Sequence, residues 1–216
     1  MFTEQNELTY PQDPNPGMIG DLELFKTLLQ PHFLFNSLNN LYALSIKRSE
    51  LTADAIVGLS GLLEKVVSYS RREYISLDRE LSLIREYIDL ERIWLGDNGF
   101  LIDFHVSGET DDFIIPPLVL YTFVENCFKH GIRNAGGNGW LTLRVERKPG
   151  FLKFIARNNI ANKGGDVKEI HTDDSGVGIT AVRELLDKKC KNGYHLKMDE
   201  SENTFTVRLR IDAITI

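Results

Sequence analysis

The chain has 216 residues, 42% hydrophobic and 26% charged, with a formal net charge of −6, which leaves room for one large or two modest domains with cores of their own. Its Lys and Arg do not gather into one block, so the footprint of a nucleic-acid binder is missing and no nucleic-acid partner is expected. No apolar run approaches the roughly 20 residues that span a bilayer, the first residues lack a secretory signal, and Cys127 and Cys190 have neither disulfide-framework nor zinc-ligand spacing. These features point to a cytoplasmic chain, with membrane contact only through a sensor part outside it.

Residues 1–20 hold Pro11, Pro14, Pro16, Gly17 and Gly20 among polar residues, the composition of a linker. From 21 to about 46 apolar residues recur at helical spacing, and His32, Asn36 and Asn39 fall three or four apart on one face. Pro31 has no N–H to donate to the carbonyl of Thr27, so it removes one helix hydrogen bond and loosens the helix just before His32. A single histidine in an amphipathic helix is ordinarily a satisfied core or surface residue, and residue type alone does not make it reactive. A polar turn at 47–50 leads to a second amphipathic helix, about 52–73. The resulting hairpin cannot bury all its apolar side chains alone, so pairing with a second copy, a homodimer, is expected.

A third helix is predicted over 77–95, capped by Ser76 and stopped at Gly96. A strand follows at 100–106, with Asp103 and His105 opposite Phe104 and Val106, so His105 is expected to face solvent. Ile114-Ile115-Pro116-Pro117 opens a helix reaching Gly131. Strands at 141–147, 152–158, 194–198 and 204–211, with a helix near 180–191, give an α/β sandwich and an α+β class overall. In the helix from Leu118, Leu120, Val124, Cys127, Phe128 and Gly131 make an apolar face, with Cys127 expected to be buried. Thr122, Glu125, Asn126, Lys129 and His130 gather opposite. Taken alone, this is a surface helix with a Glu125–Lys129 pair and solvated Asn126 and His130, where replacing Asn126 would barely change stability. Asp173-Asp174-Ser175-Gly176-Val177-Gly178-Ile179 is a weak glycine motif before a helix, suited to phosphate oxygens. The long segment 159–174 is a candidate lid.

Pro31-His32-Phe33-Leu34-Phe35-Asn36-Ser37-Leu38-Asn39 resembles the phosphoacceptor box of the sensor histidine kinases that work with LytTR-type response regulators. Ile115-Pro116-Pro117-Leu118 and Val124-Glu125-Asn126-Cys127-Phe128-Lys129-His130-Gly131-Ile132 resemble the N box of the same kinases and of the wider GHKL ATPases. The resemblance implies a linker at 1–20, a helical hairpin at 21–75 that forms a dimeric four-helix bundle and carries the phosphoacceptor, and a two-layer α/β sandwich of the GHKL (Bergerat) type at 76–216. It implies the cofactors ATP and Mg²⁺, phosphorylation of His32, and transfer to an aspartate of a response regulator, LytTR-type. Family roles fall on Asn36 as the polar partner of His32, on Glu125 as the residue that positions or deprotonates the nucleophile, and on Asn126 as the Mg²⁺ ligand. Lys129, His130 and the backbone amides of Gly176 and Gly178 are then expected at the phosphates.

Tyr121-Thr122 stands where that family has Gln-Pro, a change expected to affect packing. The adenine-binding Asp-x-Gly-x-Gly box is absent, and Arg157-Asn158-Asn159-Ile160 occupies its place. Strand alternation points Asn158 toward the core side with Phe154 and Ala156, making it the expected adenine contact; Asn159 takes that role if a bulge shifts the register. Ala181 and Leu185 replace a family Asn and Arg. The rival expectation is a non-catalytic dimeric docking module with weak or no nucleotide binding.

Overall fold

The computed structural model describes residues 31–96, 100–135, 138–160, 168–169, 177–191, 193–201 and 203–214. Three helices come first: α1 (Pro31–Ile46), α2 (Thr52–Ser70) and α3 (Leu77–Leu95). The turn between α1 and α2 is closed by the Thr52 hydroxyl, which donates to the Ser49 carbonyl at 2.7 Å. On α2, Ala55, Leu59, Leu62 and Val66 recur three or four apart and are buried. That stripe packs along α3 in antiparallel sense, with Lys65 paired to Glu86 and Gly58 against Leu90. Helix α2 ends at Ser70, three residues short of the expected end. The exposed Arg71-Arg72-Glu73 leads instead into a two-residue strand, β1 (Ile75–Ser76).

Ser76 caps α3 as expected, accepting the Arg79 N–H at 3.4 Å, and Gly96 ends it at a positive φ of 62° that favours glycine. Strand β2 (Leu101–Ser107) follows, with Asp103 and His105 exposed and Phe104 and Val106 half-buried, as the alternation required. Strand β3 (Ile114–Ile115) pairs antiparallel with β1 and brings the chain to α4 (Val119–His130). A 3₁₀ turn (Ile132–Asn134), β4 (Trp140–Lys148), β5 (Phe151–Asn159), β6 (Lys168–Glu169), α5 (Val177–Cys190), β7 (Tyr194–Ser201) and β8 (Thr204–Asp212) complete the order. The two-residue strands β1, β3 and β6 carry too little pattern to be read from sequence.

The main sheet runs β2-β4-β5-β8-β7-β6, with β2 parallel to β4 and every other pairing antiparallel. Its inner face is apolar (Leu141, Leu143, Val145, Leu152, Phe154, Val207, Leu209), while Arg144, Lys153, Arg157 and Arg208 alternate outward. Helix α4 lies on the inner face, where the Phe123 ring stacks on Phe154 at 6.3 Å. Helix α5 contributes Ile179, Val182 and Leu186 to the same core. The class is therefore α+β, with helices on one side of a mixed sheet in a two-layer sandwich. One hydrophobic cluster runs without a break from Phe33 in α1 to Ile211 in β8.

Candidate active site

Helix α4 begins in an unusual way. Pro116 and Pro117 have no N–H to offer, Leu118 is left-handed at φ 65°, and its side chain caps nothing. The cap comes from another helix: Glu80 on α3 accepts the Leu118 N–H at 2.9 Å and the Tyr121 N–H at 3.0 Å. Glu80 is fully buried, and that burial pushes its carboxyl up to about 7 against the opposing pull of the backbone N–H donors of Tyr121, Leu118 and Leu120. Tyr87, two turns along α3, packs edge-on against Tyr121 and Phe128 of α4, both at 5.3 Å. One turn further, Glu91 holds Arg133 through Nε at 3.3 Å and through a second, closer contact, with the Glu91 side chain wholly buried. Three ties thus fix α4 alongside α3.

Every residue from Val119 to Phe128 is buried, Thr122, Glu125 and Asn126 included. This corrects the surface-helix expectation: α4 is enclosed between α3 and the sheet, so Glu125 is only 7% and Asn126 only 6% exposed. At the C-terminal turn Lys129 is half-buried and His130 exposed. Asn126 Nδ2 donates to the Thr122 carbonyl at 2.9 Å, which fixes the amide and turns its oxygen away from the helix backbone. Glu125 falls between Tyr121 and Phe128 on the α3-facing stripe. Burial raises its pKa, Lys129 and Arg133 oppose the rise, and Glu91 adds to it. The Tyr121-Thr122 departure is absorbed by packing, with the Tyr121 ring on Tyr87 and the Thr122 hydroxyl on the Leu118 carbonyl at 2.7 Å.

At the end of β5, Asn158 is fully buried on the side shared with Phe154 and Ala156. Its Nδ2 donates to the Asn159 carbonyl at 2.9 Å, and its Oδ1 is buried without a partner. Gly131 makes room for this amide: a Cβ there would lie 2.0 Å from Asn158 Nδ2 and 2.5 Å from the Asn159 carbonyl. The alternative, Asn159, is already engaged, its Oδ1 accepting the Trp140 N–H at 2.8 Å and its Nδ2 donating to the Asn138 carbonyl at 3.2 Å. The ladder with β8 runs unbroken through both residues, so no bulge shifts the register.

His32 lies in the first turn described for α1, with Asn36 half-buried one turn on. The adjoining Phe33 is buried between Tyr87 at 6.1 Å and Trp94 at 6.3 Å, both on α3. Gly178 is buried in the first turn of α5, whereas Gly176 lies outside the described residues, as does most of the candidate lid. Ala181 and Leu185 are buried in the core side of α5. Glu125, Asn126, Lys129 and His130 are thus brought together on α4, and Gly131 at its end meets Asn158. Among the described residues no three His, Cys, Asp or Glu side chains form a metal cage. Cys127 is buried as expected, and burial pushes its thiol up to about 12.

Glu80, Glu91, Arg133 and Phe33 escaped assignment from sequence. A signal existed for two of them, because Glu80 and Glu91 fall in phase with Leu77, Ile84, Tyr87 and Ile88, charged positions inside an apolar stripe.

The family model for histidine kinases matches residues 21–99. The sensor protein LytS of Staphylococcus epidermidis is 27% identical over 162 residues, 75% of this chain and 26% of that protein. The sensor histidine kinase/phosphatase LytS of Staphylococcus aureus is 31% identical over 162 residues, 74% of this chain and 27% of that protein. The chain thus spans about a quarter of the length of these relatives. Among solved structures, the histidine kinase AdeS of Acinetobacter baumannii has a TM-score of 0.47 at 12% identity, covering 92% of this chain and 98% of that one. Over three quarters of its length, then, the chain is similar to sensor histidine kinases. No helix among the described residues is long and apolar enough to cross a membrane.

Proposed function

We propose that the chain is the catalytic core of a two-component sensor histidine kinase that uses Mg²⁺-ATP to phosphorylate His32 and passes the phosphoryl group to an aspartate of a response regulator, of LytTR type. The observation that carries this reading is the convergence of two motif-bearing helices on one support: α1 with His32 and α4 with Glu125 and Asn126 both pack on α3 through Tyr87. In this reading residues 21–75 are the phosphoacceptor hairpin and 76–216 the nucleotide domain of GHKL type, in the cytoplasm.

The residues present suit the group they would hold. The orphaned Asn158 Oδ1 is an acceptor aimed at no protein donor, as an adenine amino group requires. Asn126 offers one hard oxygen, and Mg²⁺ commonly keeps waters and substrate phosphates for the rest of its shell. Bound Mg²⁺ supplies charge neutralisation for the phosphates. Lys129, His130 and the backbone amides of Gly176 and Gly178 orient the phosphates, and Asn36 holds the His32 ring. A neutral imidazole nitrogen attacks without prior loss of a proton. Glu125, held partly toward its neutral form by burial and back toward carboxylate by Lys129 and Arg133, takes the ring proton released when the phosphorus–nitrogen bond forms.

Helix α1 also presents Phe35 (66% exposed), Leu38 (58%), Tyr42 (68%) and Ile46 (65%) along one side. Such a stripe suits a second copy of the hairpin, giving the homodimeric four-helix bundle. The test of the function is incubation of the chain with γ-labelled ATP and Mg²⁺. Acid-labile, base-stable label should appear on His32, and His32→Gln should lose it while still binding ATP. The second reading, a dimeric docking module without catalysis, draws on the uncharged Asn158 at the place of the family carboxylate. A folded dimer that takes no label and binds no nucleotide would establish it instead.

A further inference from the structure

We infer, on the proposed reading of residues 76–216 as a nucleotide domain, that the Asn158 side chain reads the base in one direction only. The Asn159 carbonyl holds its amide nitrogen in place, so the pocket takes a purine that carries an exocyclic amino group and refuses one with a carbonyl there. For the same reason it has no place for a carboxylate at residue 158.

An asparagine amide has a donor end and an acceptor end, and it can ordinarily turn over to suit either kind of base. The surroundings of Asn158 remove that choice. The residue is fully buried at the end of β5, and its Nδ2 donates to the Asn159 carbonyl at 2.9 Å. Gly131 supplies the only room for that nitrogen: a Cβ there would stand 2.0 Å from Asn158 Nδ2, 2.5 Å from the Asn159 carbonyl and 2.7 Å from the Cys127 carbonyl. An N–H fits among these backbone oxygens. An oxygen turned into the same place would face the Asn159 carbonyl with no proton between them, and a hydrogen bond would become a repulsion.

The neighbouring groups are already committed. Asn159 Oδ1 accepts the Trp140 N–H at 2.8 Å, Asn159 Nδ2 donates to the Asn138 carbonyl at 3.2 Å, and the Cys127 carbonyl takes the Gly131 N–H at 3.0 Å. Of the four side-chain polar atoms in the Asn158-Asn159 pair, three have partners, and Asn158 Oδ1 has none among the described residues. A buried acceptor left over in this way calls for a donor from outside the chain. The amino group of adenine is such a donor, whereas the carbonyl of hypoxanthine or guanine brings a second oxygen. An aspartate at residue 158 would set a charged oxygen against the Asn159 carbonyl whichever way it turned, so the site is built for an amide and not for the family carboxylate.

Calorimetry on the full chain with Mg²⁺ compares three nucleotides: ATP, inosine triphosphate with a carbonyl in place of the amino group, and purine riboside triphosphate with hydrogen there. ATP should bind at least about tenfold more tightly than either of the others, and the inosine nucleotide no better than the purine one. An amide free to turn over would donate to the inosine carbonyl, so inosine triphosphate binding as tightly as ATP would overturn the inference. Asn158→Ala should bring all three to within about threefold of one another. A preference for ATP that survives in Asn158→Ala would place the reading elsewhere and overturn it equally.

Asn158→Asp, which restores the family residue, should weaken ATP by about tenfold or more. ATP held as tightly as by the wild type would show that the site accepts a carboxylate and would overturn the inference; the wild-type series decides the direction of reading even where this variant does not fold. A wild type that binds none of the three nucleotides fails the proposed function, and the amide is then read without them. In the ¹⁵N-labelled, nucleotide-free chain the Asn158 Nδ2 protons, assigned by their loss in Asn158→Ala, should show a nuclear Overhauser effect to the Gly131 α-protons. Its absence from a folded chain would show that the nitrogen is not held over Gly131 and would overturn the inference by itself.

Discussion

Glu80 is the residue whose titration should be felt by the whole fold. Its carboxyl rises from the ordinary 4.5 to about 7 because burial outweighs the backbone N–H donors of Tyr121, Leu118 and Leu120. Between those two values the folded chain holds a proton that the unfolded chain has released, so stability falls as pH rises. The stabilising contribution of the protonated acid is fully present below 4.5 and is lost as pH climbs through 7. Each pH unit costs about 1.4 kcal/mol, and the span comes to about 3 kcal/mol. Glu80→Gln keeps the shape and one acceptor oxygen but cannot titrate. Urea unfolding of both proteins in steps from pH 4.5 to 8 should show the wild type losing about 3 kcal/mol relative to the variant over that range. Parallel stability curves would show that the two backbone bonds already hold Glu80 ionised, and the argument from burial would fail.

Asn126→Asp should lose His32 labelling and also about 1–3 kcal/mol of stability, because a carboxylate cannot donate to the Thr122 carbonyl in a site only 6% exposed; denaturant unfolding measures the second loss, and an unchanged midpoint would restore the surface-helix picture. Arg133→Met should cost about 3–5 kcal/mol by leaving the buried Glu91 unpaired, and adding Glu91→Leu should recover most of it; equal stability of the single and double variants would deny the coupling. Asn158→Ala should weaken ATP by about 1–2 kcal/mol and GTP less, since guanine presents a carbonyl where adenine presents an amino group. Calorimetry with both nucleotides decides this, and unchanged ATP affinity would take Asn158 out of the base pocket. Gly131→Ala should reproduce that nucleotide effect with Asn158 intact, because its Cβ would meet Nδ2 at 2.0 Å.

The elements with strong periodicity were legible: α3, with its Ser76 cap and Gly96 stop, has the expected bounds, and the alternating strands differ from expectation by at most three residues at an end. Strand alternation also placed Asn158, because a period of two leaves a side chain only two faces to choose between. What periodicity could not supply was the depth of α4. A polar face on a helix usually marks solvent, so Thr122, Glu125 and Asn126 read as surface. Glu125 is buried because α3 lies along the Tyr121–Phe128 stripe beside it, a contact between segments some forty residues apart, and such tertiary enclosure of α4 is recorded by no local pattern.

The misplaced depth and the overlooked acids have one cause. Burying a helix with a polar face requires partners for its donors and charges, and α3 supplies them from positions that would otherwise be apolar. Glu80 takes the amides that Pro116, Pro117 and a left-handed Leu118 leave without an ordinary cap, and Glu91 takes Arg133 at the other end of α4. Tyr87 fills the space between these two ties and meets Phe33 on its other side. The charged intruders in the α3 stripe are therefore the counterparts of the open amides at the start of α4 and of Arg133 just beyond its end.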